Sequence, residues 1–181
     1  MYKISTVSGV DKIFFAYDIA TLFDDVKHAS AFMCKNIVSK EGADLSEQFA
    51  ITDDEEPMFN LCLSQVLPNI AGAFSDLATG EYKEKIQGSE IISTWAAQAW
   101  AGIESGHYYV GFEIQDNKAY AAIDPQLFDR ALQSTIEDGV LSEFYTRVTH
   151  PELTKLSATI YANKLPLLAV RLTPMRKKSR L

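Results

Sequence analysis

Apolar residues early in the chain recur three and four positions apart, which is the spacing of one face of an α-helix. This stripe consists of Leu22, Val26, Ala29, Met33 and Ile37. Thr21 and Asp24 have the spacing of a capping box, so the first helix is predicted to begin at Thr21. It is predicted to end before Gly42.

The acidic segment 51–57 predicts the start of a second helix. Thr52 or Asp54 can accept hydrogen bonds from free amides, carboxylates favour the positive end of the helix dipole, and Pro57 fits the first turn. Adjacent carboxylates point in different directions on a helix, so the run indicates a helix start and not a metal site. The helix is predicted to kink at Pro68 and to end near 79–80. Its apolar stripe consists of Met58, Leu61, Cys62, Val66, Ile70, Phe74 and Leu77.

Two further helices are predicted to begin at caps that contain proline. Asp124 is the predicted cap of the third helix, and Pro125 takes its first position. Segment 149–152 has the same pattern of a capping residue and a proline, which predicts the start of the fourth helix. The fourth helix is predicted to kink at Pro166 and to stop at Pro174. Its apolar stripe consists of Leu153, Leu156, Ile160, Leu167 and Val170.

Strands are predicted in two regions. Residues 12–17, within an N-terminal arm at 1–18, form an aromatic and apolar run, predicted to be a strand or an extended arm covered by a partner. Residues 107–114 and 118–123 flank a turn, which predicts a β-hairpin. The sequence thus predicts one mainly α domain, a bundle of about four helices. A β-hairpin excursion lies between helices two and three, in a β-containing insertion at 80–123.

Charge is distributed unevenly along the chain, whose formal net charge is −7. Segment 171–181, the basic tail, has five bases and no acid; the bases are Arg171, Arg176, Lys177, Lys178 and Arg180. Without these five, 12 of the 17 bases remain against 24 acids. The tail is therefore a candidate interaction site, for DNA phosphates or for the acidic body of a neighbouring copy, unless it is only a solvated terminus.

No recognised catalytic pattern occurs in the sequence. The three histidines, His28, His107 and His150, are dispersed, and the spacings of nucleophile elbows, phosphate loops and metal ligands are absent. Cys34 and Cys62 are predicted to be buried free thiols, as in a protein made in a reducing cytosol. No segment resembles a signal peptide or a membrane span. We therefore predict a soluble, non-enzymatic protein without cofactor or metal. A cleft that combines His107 with carboxylates would favour an enzyme instead.

Several short motifs, taken in order, resemble a family of small virion proteins in tailed phages and prophages of Bacteroides-type gut bacteria. The family has a small-aromatic stretch in its first helix, an acidic start to the second, an aromatic near the end of the next, and an alanine-containing last helix before a basic tail. The matching residues here are Ala29–Phe32, Ile51–Glu56, Phe144, Tyr145, Tyr161, Ala162, Arg171, Pro174, Arg176 and Lys177. The N-terminal arm and residues 80–106 depart from the pattern.

The resemblance implies a head–tail connector, a neck or adaptor ring subunit made in the host cytoplasm and located in the virion. Such proteins form a homo-oligomeric ring beneath the portal and contact other neck and tail proteins. A C-terminal segment reaches the portal or a neighbouring subunit in related adaptors, which assigns the anchor to the basic tail by position. The alternative is a non-enzymatic accessory protein that binds packaged DNA non-specifically through this tail.

Overall fold

A computed structural model describes residues 1–7, 10–35, 46–73, 82–87, 107–116, 124–148 and 150–172. The strands are β1 (Tyr2–Val7), β2 (Val10–Asp18), β3 (Tyr82–Gln87) and β4 (Tyr108–Asp116). The helices are α1 (Ile19–Cys34), the single turn α2 (Ser46–Phe49), α3 (Glu56–Ala73), α4 (Pro125–Arg147) and α5 (Pro151–Leu172), with a 3-10 turn at Asp53–Glu55. The four long helices confirm the predicted mainly α fold.

The described strands form one antiparallel sheet in the order β1-β2-β4-β3. β2 pairs along one edge with β1 and along the other with β4, where Phe15 lies opposite Phe112. Residues 13–17 are buried, so side chains on both faces of β2 are covered. The predicted strand at 12–17 is confirmed, but the expectation that a partner covers it is corrected. The segment 1–18 is an integral part of the sheet, because β1 and β4 pair with the two edges of β2.

The predicted β excursion between helices two and three is confirmed by the antiparallel pair β3–β4. The pairing differs from the prediction, since β4 lies between β2 and β3. The predicted second strand at 118–123 is outside the described residues. A strand has only two edges, and both are occupied over Tyr109–Phe112. The sequence predicts that β4 is extended. It does not predict the partners of β4, because they come from segments distant in the chain.

The caps of the third and fourth helices are confirmed. The Asp124 carboxylate accepts hydrogen bonds from the backbone N–H groups of Gln126 (3.0 Å) and Leu127 (3.2 Å). At the start of α5, Nδ1 of His150 accepts the backbone N–H of Leu153 at 3.2 Å. These contacts satisfy amides that have no partner within the helix.

The first two long helices begin somewhat differently from the prediction. α1 begins at Ile19, two residues before Thr21, and ends at Cys34; Ile37 and Gly42 are outside the described residues. At the second start a 3-10 turn precedes α3, and Thr52 and Glu55 form a capping box. The Thr52 side chain accepts the Glu55 backbone N–H, and the Glu55 carboxylate accepts the Thr52 backbone N–H and, at 2.8 Å, the Thr52 hydroxyl. α3 continues through Pro68, and its predicted end near 79–80 is outside the described residues.

The predicted buried face of the fourth helix is partly wrong. Leu156 is 48% exposed and Leu167 is 55% exposed, whereas Leu153, Ser157 and Leu168 are buried. The hydroxyl of Ser157 donates to the carbonyl of Leu153 at 2.8 Å, so a serine can occupy the buried face without an unpaired hydroxyl. The predicted stripe therefore combines one buried residue, Leu153, with two exposed leucines.

The core lies between one face of the sheet and the long helices. Phe15 of β2 packs on Phe128 of α4, with ring centroids 5.3 Å apart, and Phe23 of α1 packs on Phe59 of α3 at 4.9 Å. None of the described helices is long and apolar enough to cross a membrane. Both cysteines are buried free thiols, as predicted.

Glu137 on α4 provides a test of the packing between α1, α4 and α5. Burial raises the pKa of its carboxyl, the hydrogen bond with Gln133 lowers it, and the nearby Asp25 and Asp138 raise it further. A carboxyl with a raised folded-state pKa favours the fold below its unfolded pKa. This contribution is lost as the pH rises through the folded pKa.

We therefore expect Glu137→Gln to stabilise the protein at neutral pH, by less than about 1 kcal/mol because water screens this partly exposed group. The gain should disappear below about pH 4.3, the pKa of an unperturbed glutamate. Urea unfolding at both pH values measures the difference. A variant less stable than the wild type at neutral pH would contradict this account.

Candidate functional site

A cleft of about 580 Å³ lies where β2 joins α1. The N-terminal end of α3 and the start of β4 form its other walls. The lining residues are Asp18, Ile19, Ala20, Phe23, Asp24, Lys27, Asp53, Glu56, Asn60, His107 and Tyr108. Segments far apart in sequence therefore contribute to one concave surface with an apolar wall and several charges.

A histidine and a carboxylate are in contact in this cleft. Nδ1 of His107 lies 3.1 Å from Oδ2 of Asp18, and the hydroxyl of Thr21 donates to the same oxygen at 2.9 Å. The Asp18 side chain is 15% exposed and the His107 ring 42%. An ionised carboxylate only accepts hydrogen bonds, so Nδ1 carries the proton in this contact. The pair connects the start of β4 to the start of α1.

Two acceptor oxygens of the lining residues are shielded from solvent and have no hydrogen-bond partner among the described residues. They are Oδ1 of Asp18 and Oδ1 of Asn60. The amide nitrogen of Asn60 donates to the carbonyl of Glu56 at 3.0 Å, which fixes the orientation of this side chain. A buried polar atom without a partner costs roughly 1–3 kcal/mol. A donor that reached these oxygens would therefore gain by binding.

The cleft is acidic. Its lining has four carboxylates, those of Asp18, Asp24, Asp53 and Glu56, against the single lysine Lys27. Nζ of Lys27 lies 2.8 Å from Asp24 and also bonds Asp53. The hydrogen bonds to Asp24 and then to Asp53 raise the pKa of Lys27, and its bond lowers the pKa of Asp24. The lysine neutralises only part of the acidic charge, so the cleft favours cations.

The structure brings few of the predicted site residues together. Arg171 lies in the last turn of α5, and the other four bases of the tail are outside the described residues. His28 is exposed on α1, His150 caps α5, and only His107 lies in the cleft. Within the described ranges, no group of three or more His, Cys, Asp or Glu could hold a metal ion.

Sequence reasoning missed Asp18 and Asn60. Asp18 is 89 positions from His107, so no local spacing indicates their contact. Asn60 is a polar residue of α3. It was missed because the buried face of that helix was predicted from apolar residues alone. The acidic segment 51–57 was the available signal. It was interpreted as a helix start, which is correct, but Asp53 and Glu56 also line the cleft.

The protonation of His107 can be measured directly. We expect nitrogen-15 NMR at neutral pH to find the ring proton on Nδ1, because Nδ1 bonds the Asp18 carboxylate. In Asp18→Ala the ring should become a tautomer mixture typical of a solvated histidine. A proton mainly on Nε2 in the wild type would contradict the described contact.

No protein-family model matches the chain, and neither a curated protein nor a solved structure is significantly similar to it.

Proposed function

We propose that this protein is a non-catalytic virion protein, a head–tail connector subunit that forms a ring with copies of itself and bridges the portal and the tail. It acts by binding other subunits, namely the portal, further neck and tail proteins, and a neighbouring copy of itself. The motifs Ala29–Phe32, Ile51–Glu56 and the basic tail support the proposal by resemblance to such proteins.

The observation that carries the proposal is an apolar stripe on the outer side of α5. Leu156 and Leu167 are exposed, and Ile160 between them is half-buried. These residues are four and seven positions apart and so share one face of the helix. Burial of one leucine side chain contributes about 1.5–3 kcal/mol. A helix face of this kind, directly followed in sequence by the basic tail, suits an interface between subunits.

The experiment is co-purification of the full chain with the portal protein of the same virion, the partner that the proposal requires. We expect the wild type to bind the portal and Leu156→Ser with Leu167→Ser to weaken binding at least about tenfold, since two buried leucines are lost. Leu61→Ser is the matched control, because Leu61 is an exposed leucine (45%) on another helix. A wild type that ignores the portal and is retained on DNA at low salt would favour the alternative, the DNA-binding accessory protein.

The His107–Asp18 contact favours a second candidate, a small enzyme that uses His107 as a general base. A carboxylate that orients a histidine is a common arrangement in acid–base catalysis. The described lining residues include no serine or cysteine that could act as a nucleophile, so with these residues the chemistry would be activation of water or a substrate proton. His107→Gln separates the candidates: portal binding should be unchanged in a connector. A variant that loses turnover of a small molecule would support the enzyme.

A further inference from the structure

We propose that His150 is a pH-sensitive switch between α2 and the start of α5. Its neutral ring holds the two elements together, and protonation of the ring releases them. The switch belongs to the fold itself and does not depend on the proposed function.

The His150 ring makes two contacts that share one orientation. Nδ1 accepts the backbone N–H of Leu153 at 3.2 Å, in the first turn of α5. The same ring packs edge-to-face on the ring of Phe49, the last residue of α2, with centroids 4.4 Å apart. Because one side chain makes both contacts, a change in the orientation of its ring affects α2 and α5 together.

Protonation removes the acceptor on which this orientation depends. A neutral imidazole accepts through one nitrogen, whereas both nitrogens of the cation donate. The cation would point an N–H at the N–H of Leu153 and place a positive charge at the positive end of the α5 dipole. Both effects turn the ring away from the helix, and the contact with Phe49 is then lost as well. The cap is therefore present at neutral pH and is lost as the pH falls through the range in which histidine gains its proton.

Charged neighbours do not hold the ring in place. Within the described ranges, no ion pair or hydrogen bond joins His150 to a charged side chain. Arg147 at the end of α4 opposes a positive ring and Glu152 in the first turn of α5 favours one, but both side chains are exposed to solvent, which screens them. Glu47 is the charged residue of α2.

The released region is small, because other contacts limit it on both sides. The backbone N–H of Ile51, two residues after α2, is held by Oγ of the buried Ser30 at 2.7 Å. On α5, the hydroxyl of Thr154 donates to the carbonyl of Tyr145 at 2.7 Å. Protonation of His150 therefore opens α2 and the first turn of α5, while the rest of both long helices α4 and α5 stays packed.

Amide hydrogen exchange of the full chain, followed by NMR at about pH 7.5 and about pH 5.5, tests the switch. The protection factor of the Leu153 amide, which corrects for the intrinsic exchange rate, should fall about tenfold at the lower pH because the cap is lost. In His150→Asn the protection should change less than about twofold, since asparagine is a good cap that does not titrate. His28→Asn is the matched control: His28 is exposed on α1, so this variant should keep the pH dependence of the wild type.

Wild-type protection that is equal at both pH values would overturn the proposal, and so would a full fall in His150→Asn. Loss of the pH dependence in His28→Asn, or in Glu47→Gln, would assign it to another group and would also overturn it.

A titration of the wild type tests the same claim without a variant. The ring signals of Phe49 should shift with the same midpoint as those of His150, because the two rings separate when His150 is protonated. Phe49 signals that ignore the titration of His150 would show that the ring stays in place, which contradicts the switch.

Discussion

Ser30→Ala is expected to lower the free energy of unfolding by roughly 2–4 kcal/mol, because one hydroxyl joins three parts of the core. Ser30 is fully buried on α1. Its Oγ accepts the backbone N–H of Ile51 at 2.7 Å and shares a hydrogen bond of 2.8 Å with the hydroxyl of Tyr145 on α4. Without this oxygen the amide of Ile51 is buried and unpaired, while the tyrosine keeps only its 3.3 Å contact with Sγ of Cys34.

Urea unfolding at 25 °C measures this loss, and Ser64→Ala is the matched control. Ser64 is exposed on α3, where its hydroxyl donates only to the carbonyl of Leu61 in the same helix. The control should change stability by less than about 0.5 kcal/mol. Equal stability of the two variants would show that the buried hydroxyl does not connect α1, Ile51 and α4.

Gly139→Ala should destabilise the protein by about 1–2 kcal/mol, although alanine is the better helix former. A Cβ at this position of α4 would lie 2.6 Å from Cγ1 of Val66 and 2.9 Å from a ring carbon of Tyr161. Val66 is fully buried and β-branched, so it cannot turn aside easily. Because two contacts would be shorter than 3.0 Å, the cost of overpacking should lie in the upper part of its usual range of about 1–3 kcal/mol. It therefore exceeds the gain of about 1 kcal/mol in helix propensity.

Gly72→Ala is the control, and it should change the stability of the protein in the opposite direction. Within the part of the chain that the structure describes, no atom outside its own helix lies within 4 Å of the Cβ position at Gly72, which is exposed near the end of α3. This variant should be about 0.5–1 kcal/mol more stable than the wild type. If both glycine variants were stabilised, α3, α4 and α5 would not meet as closely as the structure has them.

Much of the helical part of the fold was predictable, because helix starts carry local chemistry. Asp124 before Pro125 and His150 before Pro151 identify two helix starts within a residue. In the sheet, β2 and β4 were predictable from their aromatic and apolar runs, whereas β1, β3 and the order of the strands were not. The pairing of β2 with β4 joins residues 91 to 105 positions apart, and an aromatic run does not indicate which strand it pairs with.

The candidate site was less predictable than the fold. A local pattern indicated that Asp53 and Glu56 begin a helix, but their position in one cleft with Asp18 depends on the packing of α3 against α1. Burial was misjudged where a polar residue occupies the inner face, as at Ser157. The basic tail was evident from composition alone, whereas the cleft required the tertiary structure.

The central claim is that this protein acts by assembly, and the mass of the purified chain with and without its portal protein tests it most directly. Multi-angle light scattering should find a closed ring, or a monomer that becomes a ring when the portal is added. The ring should dissociate in the chain with Leu156→Ser and Leu167→Ser. A strict monomer at all concentrations, unchanged by the portal, would contradict the account.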